Sequence, residues 1–251
     1  MSELATNKAE IQENQYAFPY HYIPDVINDA IITNRIIRKP MVYISYITHV
    51  RDELIKSGAQ SVLDVGCGDG RMLFELEKKD PDRNYVGIDI SDRALHFARG
   101  FTKHSNFEVF NIIDKPYPSL VDACTYIETI EHIEPDKIKQ MIANIATSLK
   151  PGGTMYLTTP TTNLPTPKKH FQHFTKESIE EYIGEHFTIS DVRYINVESR
   201  LARFLNYLLL NRLFILNFGP LRKKIFGTYM KYCFIGTEKT GSRIYVKSVK
   251  K

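Results

Sequence analysis

The segment Ser61-Val-Leu-Asp-Val-Gly-Cys-Gly-Asp-Gly70 runs an apolar strand straight into a glycine-spaced turn, and it constrains the fold more than any other stretch of the chain. Glycines at 66, 68 and 70 let the backbone turn tightly and approach a ligand closely. The following Arg71-Met-Leu-Phe-Glu-Leu-Glu77 has the pattern of a helix, whose first N–H groups lack intrahelical partners. Strand, tight loop and helix in that order predict a parallel α/β sheet with a ligand at its carboxyl edge. The dinucleotide fingerprint sets its third glycine three residues after the second. Here the glycines alternate, which favours a nucleoside over a pyrophosphate.

The next strand pattern, Asn84-Tyr-Val-Gly-Ile-Asp89, ends in a carboxylate about twenty residues beyond the loop, the separation that brings an acid to a ribose diol. Further strands are predicted at 107–110, 121–127 and 153–159, alternating with helical patterns. Pro135 begins a helix with Ile138, Met141, Ile142, Ile145 and Leu149 on one face. Leu149-Lys-Pro-Gly-Gly-Thr-Met-Tyr-Leu-Thr-Thr159 closes that helix through a Pro-Gly-Gly turn and opens a strand. Thr175 is the expected N-cap of a helix reaching about residue 186, followed by an extended stretch at 187–197 and a final strand at 242–248.

Together these segments, over roughly residues 60–195, resemble the class I S-adenosylmethionine-dependent methyltransferases. The resemblance implies a Rossmann-like, mostly parallel seven-stranded α/β sheet with helices on both faces and an antiparallel pair at its end. It also implies cofactor contacts from Asp64, from the loop residues Gly66, Cys67, Gly68 and Gly70, from Asp89 with its neighbour Ile90, and from the strand end at Ile127. The family often carries Gly-Asp after its third strand, where adenine docks; this chain has Phe110-Asn111, so Asn111 stands in as the adenine partner. Read without the resemblance, the glycine run fits a phosphate- or dinucleotide-binding domain as well.

At 251 residues and 43% hydrophobic content, the chain supports one sizeable core. The expected division is an N-terminal helical cap or lid over 1–60 and a catalytic domain over 61–251. The cap would hold helices at roughly 25–37 and 40–56 and an aromatic entry with Tyr16, Phe18, Tyr20 and Tyr22. Cys67, Cys124 and Cys233 are too scattered for a disulfide framework or a zinc cluster, which points to a reducing, cytoplasmic compartment. The polar, acid-bearing N-terminus matches neither a secretory signal nor a transit peptide.

Candidate chemistry gathers beyond the fourth strand. Glu128-Thr-Ile-Glu131-His132 sets an acid and a histidine on one helical face with a second acid beside them, and Lys168-Lys-His170-Phe-Gln-His173 follows the fifth strand. Three roles fit Glu128, Glu131, His132 and His170: an oxygen-and-imidazole site for Mg²⁺ or Mn²⁺, a metal-free base that orients and deprotonates an acceptor, or a structural tie at a helix start. His173 is expected at the surface or at the helix entry, while His21 could reach the site from the cap. The pattern resembles small-molecule O-methyltransferases, including those of quinone biosynthesis, and also small-RNA 3′-terminal 2′-O-methyltransferases that hold a divalent metal with such residues. The first group fits better, because outside one segment the chain is slightly acidic and nucleic acid is a poor partner for it. The Asn-Pro-Pro-Tyr signature of amino-group methylation is absent, with Tyr126-Ile-Glu-Thr129 in its place. An oxygen on a small or lipid-linked acceptor, such as a quinone precursor or a glycan intermediate, is therefore the expected target. A non-catalytic cofactor-binding subunit is the remaining rival.

The net charge of +4 is unevenly spread. Between Ser199 and Thr237 there are seven Lys or Arg and no Asp or Glu. On a helical wheel, 201–217 gathers Leu201, Phe204, Leu205, Leu208, Leu209, Leu213, Ile215 and Leu216 on one broad side, with Arg222-Lys-Lys224 close behind. Such an insertion before the last strand suits a helix at a membrane surface, a lipid-bearing acceptor, or an ordinary packing or dimer surface.

Overall fold

The computed structural model describes residues 8, 10, 11, 25–27, 30–32, 40–211 and 213–251. A two-stranded antiparallel hairpin, β1 (Asp25–Ile27) and β2 (Ala30–Ile32), precedes the main body. The body is then built from α1 (Pro40–Ser57), β3 (Ser61–Val65), α2 (Arg71–Glu77), β4 (Asn84–Asp89), α3 (Asp92–Phe101), β5 (Asn106–Val109) and β6 (Val121–Ile127). A single 3-10 turn over Ile130–His132 leads into α4 (Pro135–Ser148), β7 (Leu149–Pro160), α5 (Lys176–Ile183) and β8 (Phe187–Val197). The chain ends with α6 (Arg200–Leu209), α7 (Gly219–Tyr229), a π-helical turn at Met230–Phe234, and β9 (Gly241–Lys250).

The seven strands are ordered β5-β4-β3-β6-β7-β9-β8, parallel except for β9, which runs antiparallel to both its neighbours. The chain winds outward from β3 to β5, crosses back to β6, and winds the other way. The crevice beyond the carboxyl ends of β3 and β6 is therefore the topological switch point, where open α/β sheets bind ligands. Strand periodicity divides the core. Tyr156 and Tyr245 pack with α1, α2 and α3 on one face, while Met155, Leu157, Ile244 and Val246 pack with α4 and α5 on the other.

The expected strands, the helix from Pro135 and the antiparallel pair β8–β9 are all present. Thr175 caps α5 in a reciprocal capping box with Ser178. Two expectations are corrected. The helix expected over 25–37 is a hairpin where described, in line with the β-branched composition of Val26, Ile27, Ile31 and Ile32. The wheel drawn over 201–217 does not form one helix. It stops at Leu209, because Leu210 is extended and bridges Ile215, and the Asn211 carboxamide accepts from the N–H groups of Leu213 (2.8 Å) and Phe214 (3.2 Å).

Of the expected cap, α1 is present, and Met41, Tyr46, Ile47, Val50 and Leu54 bury it against the sheet. The aromatic entry at 16–22 and His21 lie outside the described residues. The insertion is held to the body through Ala202, Leu205, Ile225, Tyr229 and Phe234. Buried Asn196, on β8, donates to Ser45 Oγ (2.6 Å) and Tyr229 Oη (2.9 Å), tying α1 and α7 to the sheet.

Candidate active site

The glycine loop is built as its sequence requires. Gly66, Gly68 and Gly70 sit at φ of +68°, +53° and +74°, the left-handed region that costs other residues energy. At Gly66 a Cβ would lie 2.4 Å from Thr129 Cγ2, so the β3 and β6 loops approach each other through the missing side chain. The Gly66 and Cys67 N–H groups both donate to Ile88 O, at 2.8 and 3.1 Å, which clamps the loop against β4.

Asp89, at the end of β4, accepts from Gly68 N and from Ser91 N, each at 2.9 Å. Its carboxylate therefore joins the loop to the start of α3. Asp64 lies beneath the loop, buried, and its Oδ1 accepts from Thr125 Oγ1 at 2.7 Å. Burial pushes its carboxyl up to about 7, the nearby charges of Asp89 and Asp69 add to this, and the Thr125 bond opposes it. Burial likewise raises the Cys67 thiol, so Cys67 serves as loop packing rather than as a nucleophile.

Two cavities meet at this edge, and Gly66 and Glu128 line both. The larger, of about 500 Å³, runs past Asp89, Ile90, Phe110, Asn111, Thr129 and His132. The smaller, of about 70 Å³, is bounded by Asp64, Cys67, Asp69, Arg71, Ile127 and the aromatic side chains of Tyr43 and Tyr46. Of the residues read from the sequence as cofactor contacts, Asp64, Gly66, Cys67, Asp89, Ile90, Asn111 and Ile127 line one or both cavities, and Gly68 and Gly70 line neither. Exposed Ile90 forms an apolar rim for the larger cavity. Asn111 is engaged locally, donating to Asp114 Oδ2 (2.9 Å) and accepting from Ile113 N (3.1 Å), so its side chain shapes the turn that walls the cavity.

The carboxylates and histidines separate into two groups. Glu128, at φ +50°, accepts from Thr158 Oγ1 (3.1 Å) and from Arg243 Nε (2.8 Å), and its backbone N–H donates to Thr158 O. The charge-assisted pair with the guanidinium fixes the position of this carboxylate. Glu131, His132 and His170 form the second group, and each offers a ligand atom within 4.8 Å of the others. Glu131 is buried and accepts from Thr159 Oγ1 (3.1 Å). Burial, then the charge of Glu128, raises its carboxyl to about 8.

The His132 and His170 rings meet edge to face at 4.6 Å. Burial lowers His132 to about 4 and His170 to about 3, and the Lys169 charge contributes to both, so both are neutral at physiological pH. Their carbonyl partners then set the tautomers. His132 Nδ1–H donates to Lys169 O (3.2 Å), and His173 Nδ1–H donates to Leu164 O (3.0 Å). In the neutral chain His173 Nε2 accepts from His170 Nδ1–H at 2.9 Å, which leaves a lone pair on Nε2 of both His132 and His170. His173 is half-buried at the entry to α5, two residues before its N-cap Thr175, and from there it pairs with His170. Lys8 donates to Lys168 O and His170 O, lies over the Phe171 ring and lines the larger cavity.

Sequence reasoning missed Arg243, Thr158 and Thr159, and it named His173 without its bond to His170. The signal was available for Arg243: β9 is antiparallel to β7 with Arg243 opposite Pro160, so its first residues lie at the same edge as the carboxyl ends of the parallel strands. A lone arginine in the apolar run Ser242-Arg-Ile-Tyr-Val marks that position.

Residues 62–153 match the family model described as a methyltransferase domain. Ribosomal protein L11 methyltransferase of Burkholderia orbicola (strain MC0-3) is 35% identical over 109 residues, 42% of this chain and 33% of that one. The human tRNA N(3)-cytidine methyltransferase METTL6 is 30% identical over 101 residues, 37% of this chain and 36% of that one. The chain thus spans about a third of the length of these curated relatives. Among solved structures, the N-methyltransferase NodS from Bradyrhizobium japonicum WM9 in complex with S-adenosyl-l-homocysteine has a TM-score of 0.61 at 14% identity, covering 97% of this chain and 98% of that one. The cyclase SpnF has a TM-score of 0.53 at 21% identity over 80% of each chain, so the fold by itself does not dictate the reaction. With the domain match over β3 to β7 and the glycine loop and acid in register, residues 62–153 form a methyltransferase domain, on a fold shared with the N-methyltransferase that binds S-adenosyl-l-homocysteine.

Proposed function

We propose that the chain transfers the methyl group of S-adenosylmethionine to an oxygen of a small or lipid-linked acceptor, such as a quinone precursor or a glycan intermediate. Methyl transfer is an in-line displacement at the carbon of a sulfonium, and the cofactor already carries its leaving group. The protein has to hold the cofactor, align the acceptor and take its proton. Adenosine would lie along Asp89, Ile90 and Phe110, and the methionyl end would reach the smaller cavity, which Asp64, Asp69 and Arg71 line.

The observation that carries the reading is His132, which lines the cavity shared with the glycine loop and whose Nδ1–H donates to Lys169 O, leaving its Nε2 lone pair for a proton. A hydroxyl gives up its proton as the C–O bond forms, and His132 Nε2 is the group placed to receive it. Glu131, within 4.8 Å, is held protonated by burial and, once ionised, raises the basicity of that imidazole. Glu128, paired with Arg243, acts as a positioning residue.

One observation favours a second reading. Glu131, His132 and His170 present one carboxyl and two imidazole donors, a set that suits Mn²⁺ or another first-row cation better than Mg²⁺ once Glu128 is diverted to Arg243. A cation held there would polarise the acceptor hydroxyl. The test is release of S-adenosylhomocysteine with a panel of phenolic and polyisoprenyl-linked acceptors. His132→Ala should lower turnover by about 10²-fold or more while calorimetric affinity for S-adenosylhomocysteine stays near wild type. Full activity in His132→Ala defeats the proton-acceptor role. Loss of activity on chelation, restored by Mn²⁺, replaces it with the metal reading, and cofactor binding without turnover for any acceptor points to a non-catalytic subunit.

A further inference from the structure

Of the fifteen large apolar side chains that stand exposed among the described residues, ten lie between Leu201 and Ile235. This clustering is what an interaction surface looks like, because scattered exposed apolar residues are ordinary and concentrated ones are not. The break after Leu209 turns the insertion into a helical hairpin, and the most exposed group sits at its tip: Leu213 is 87% exposed, Ile215 62% and Phe218 60%. The described residues of the tip are tied by hydrogen bonds. Besides the Asn211 bonds, Leu216 N–H donates to Leu209 O at 2.9 Å and Asn211 N–H donates to Phe214 O at 3.1 Å. It projects apolar side chains with the N–H groups of Asn211, Leu213, Phe214 and Leu216 already paired, which lowers the cost of entering an apolar medium.

The charge around the tip identifies the occupant. Arg200, Arg203, Arg222, Lys223, Lys224 and Lys231 are all exposed, and no carboxylate lies between Ser199 and Thr237 to answer them. A second copy docking by the same face would set like charges against each other. Nucleic acid would satisfy the cations but leave aliphatic Leu213 and Ile215 against phosphate and water. An anionic lipid surface satisfies both, with cations at the headgroups and the tip at the acyl boundary. No helix among the described residues is long and apolar enough to cross a membrane, so the contact is peripheral. We propose that the α6–α7 hairpin docks the protein on anionic membranes by inserting the Leu213–Phe218 tip beneath a collar of Arg222, Lys223 and Lys224.

The experiment is co-sedimentation of the full chain with phosphatidylcholine vesicles and with vesicles containing 30% phosphatidylserine, at low and high salt. Size-exclusion chromatography is run alongside, with thermal melts as a folding control. Wild type should pellet with the anionic vesicles at low salt at least tenfold more strongly than with neutral ones, and lose most of that at high salt. Leu213→Ser/Ile215→Ser should keep the melt and lose about tenfold in binding. Arg222→Ser/Lys223→Ser/Lys224→Ser should bind weakly and with little salt dependence. Failure of wild type to pellet at low salt overturns the proposal. So does undiminished binding by the tip variant, or a dimer that the tip variant dissolves. None of these outcomes bears on cofactor binding, which is read separately by calorimetry.

Discussion

Replacing Gly66 by alanine tests whether the approach of the β3 and β6 loops is what shapes the cofactor site. At φ +68°, an L-residue costs about 1–2 kcal/mol. The added Cβ would also lie 2.4 Å from Thr129 Cγ2 and 2.7 Å from Thr129 Oγ1, and relieving an overpacked contact of this kind costs about 1–3 kcal/mol. The sum is about 2–5 kcal/mol. If the loop holds its geometry, the loss appears as stability, roughly 2–4 °C in Tm for each kcal/mol in a chain of this size. If the loop moves instead, it appears as roughly 30-fold or more in affinity for S-adenosylhomocysteine.

Thr129→Ala separates the two contributions. It removes the two shortest contacts and leaves a 3.1 Å approach to Thr129 Cβ, at the loss of the Thr129 Oγ1 bond to Ile127 O, about 0.5–1.5 kcal/mol. In the double variant the steric share should be recovered and the backbone share should remain, so the cycle should show a coupling of about 1–3 kcal/mol. Differential scanning calorimetry and titration calorimetry on the four proteins supply every quantity. Wild-type Tm and wild-type affinity in Gly66→Ala would refute the account of the loop.

Two further outcomes are expected. Asp89→Ala should weaken S-adenosylhomocysteine binding by about 1.5–3 kcal/mol or more in titration calorimetry, because it removes both a charge-assisted acceptor and the anchor of Gly68 N and Ser91 N, and unchanged affinity would dismiss Asp89 as the ribose ligand. Asp64, at about 7 in the folded chain against an ordinary 3.8, holds a proton that the unfolded chain has released between about pH 4 and 7; its contribution to stability therefore falls as pH rises through that window, and Asp64→Asn should flatten the slope of urea-unfolding free energy there, a slope left unchanged being the contrary result.

The strands, the loop and the main helices could be read from the chain because each depends on local rules. Apolar runs of four to seven residues, alternating glycines at left-handed positions, a proline at N1 and a threonine N-cap all act within a few residues of their own position. The same locality explains the failures. The helical periodicity over 201–217 continues past Leu209, yet one carboxamide at Asn211 pairs with the next turn and ends the helix, a competition that hydrophobic spacing does not register.

Sequence alone brought Asp64, Gly66, Asp89 and Ile127 to one edge, because parallel strands joined by right-handed crossovers put all their carboxyl ends on the same side. It also placed Glu128, Glu131, His132 and His170 nearby, without saying which of them share a proton and which share a guanidinium. That division was decided by tertiary structure. Arg243 arrives more than a hundred residues later on the antiparallel strand β9, opposite Pro160, and its charge claims Glu128. His173 orders the His170 ring across a turn closed by Leu164 O, and burial, which no local pattern measures, keeps both imidazoles neutral and Glu131 protonated. Pairing and desolvation depend on which groups the completed fold brings within a few ångströms and removes from water, and those are properties of the folded chain as a whole.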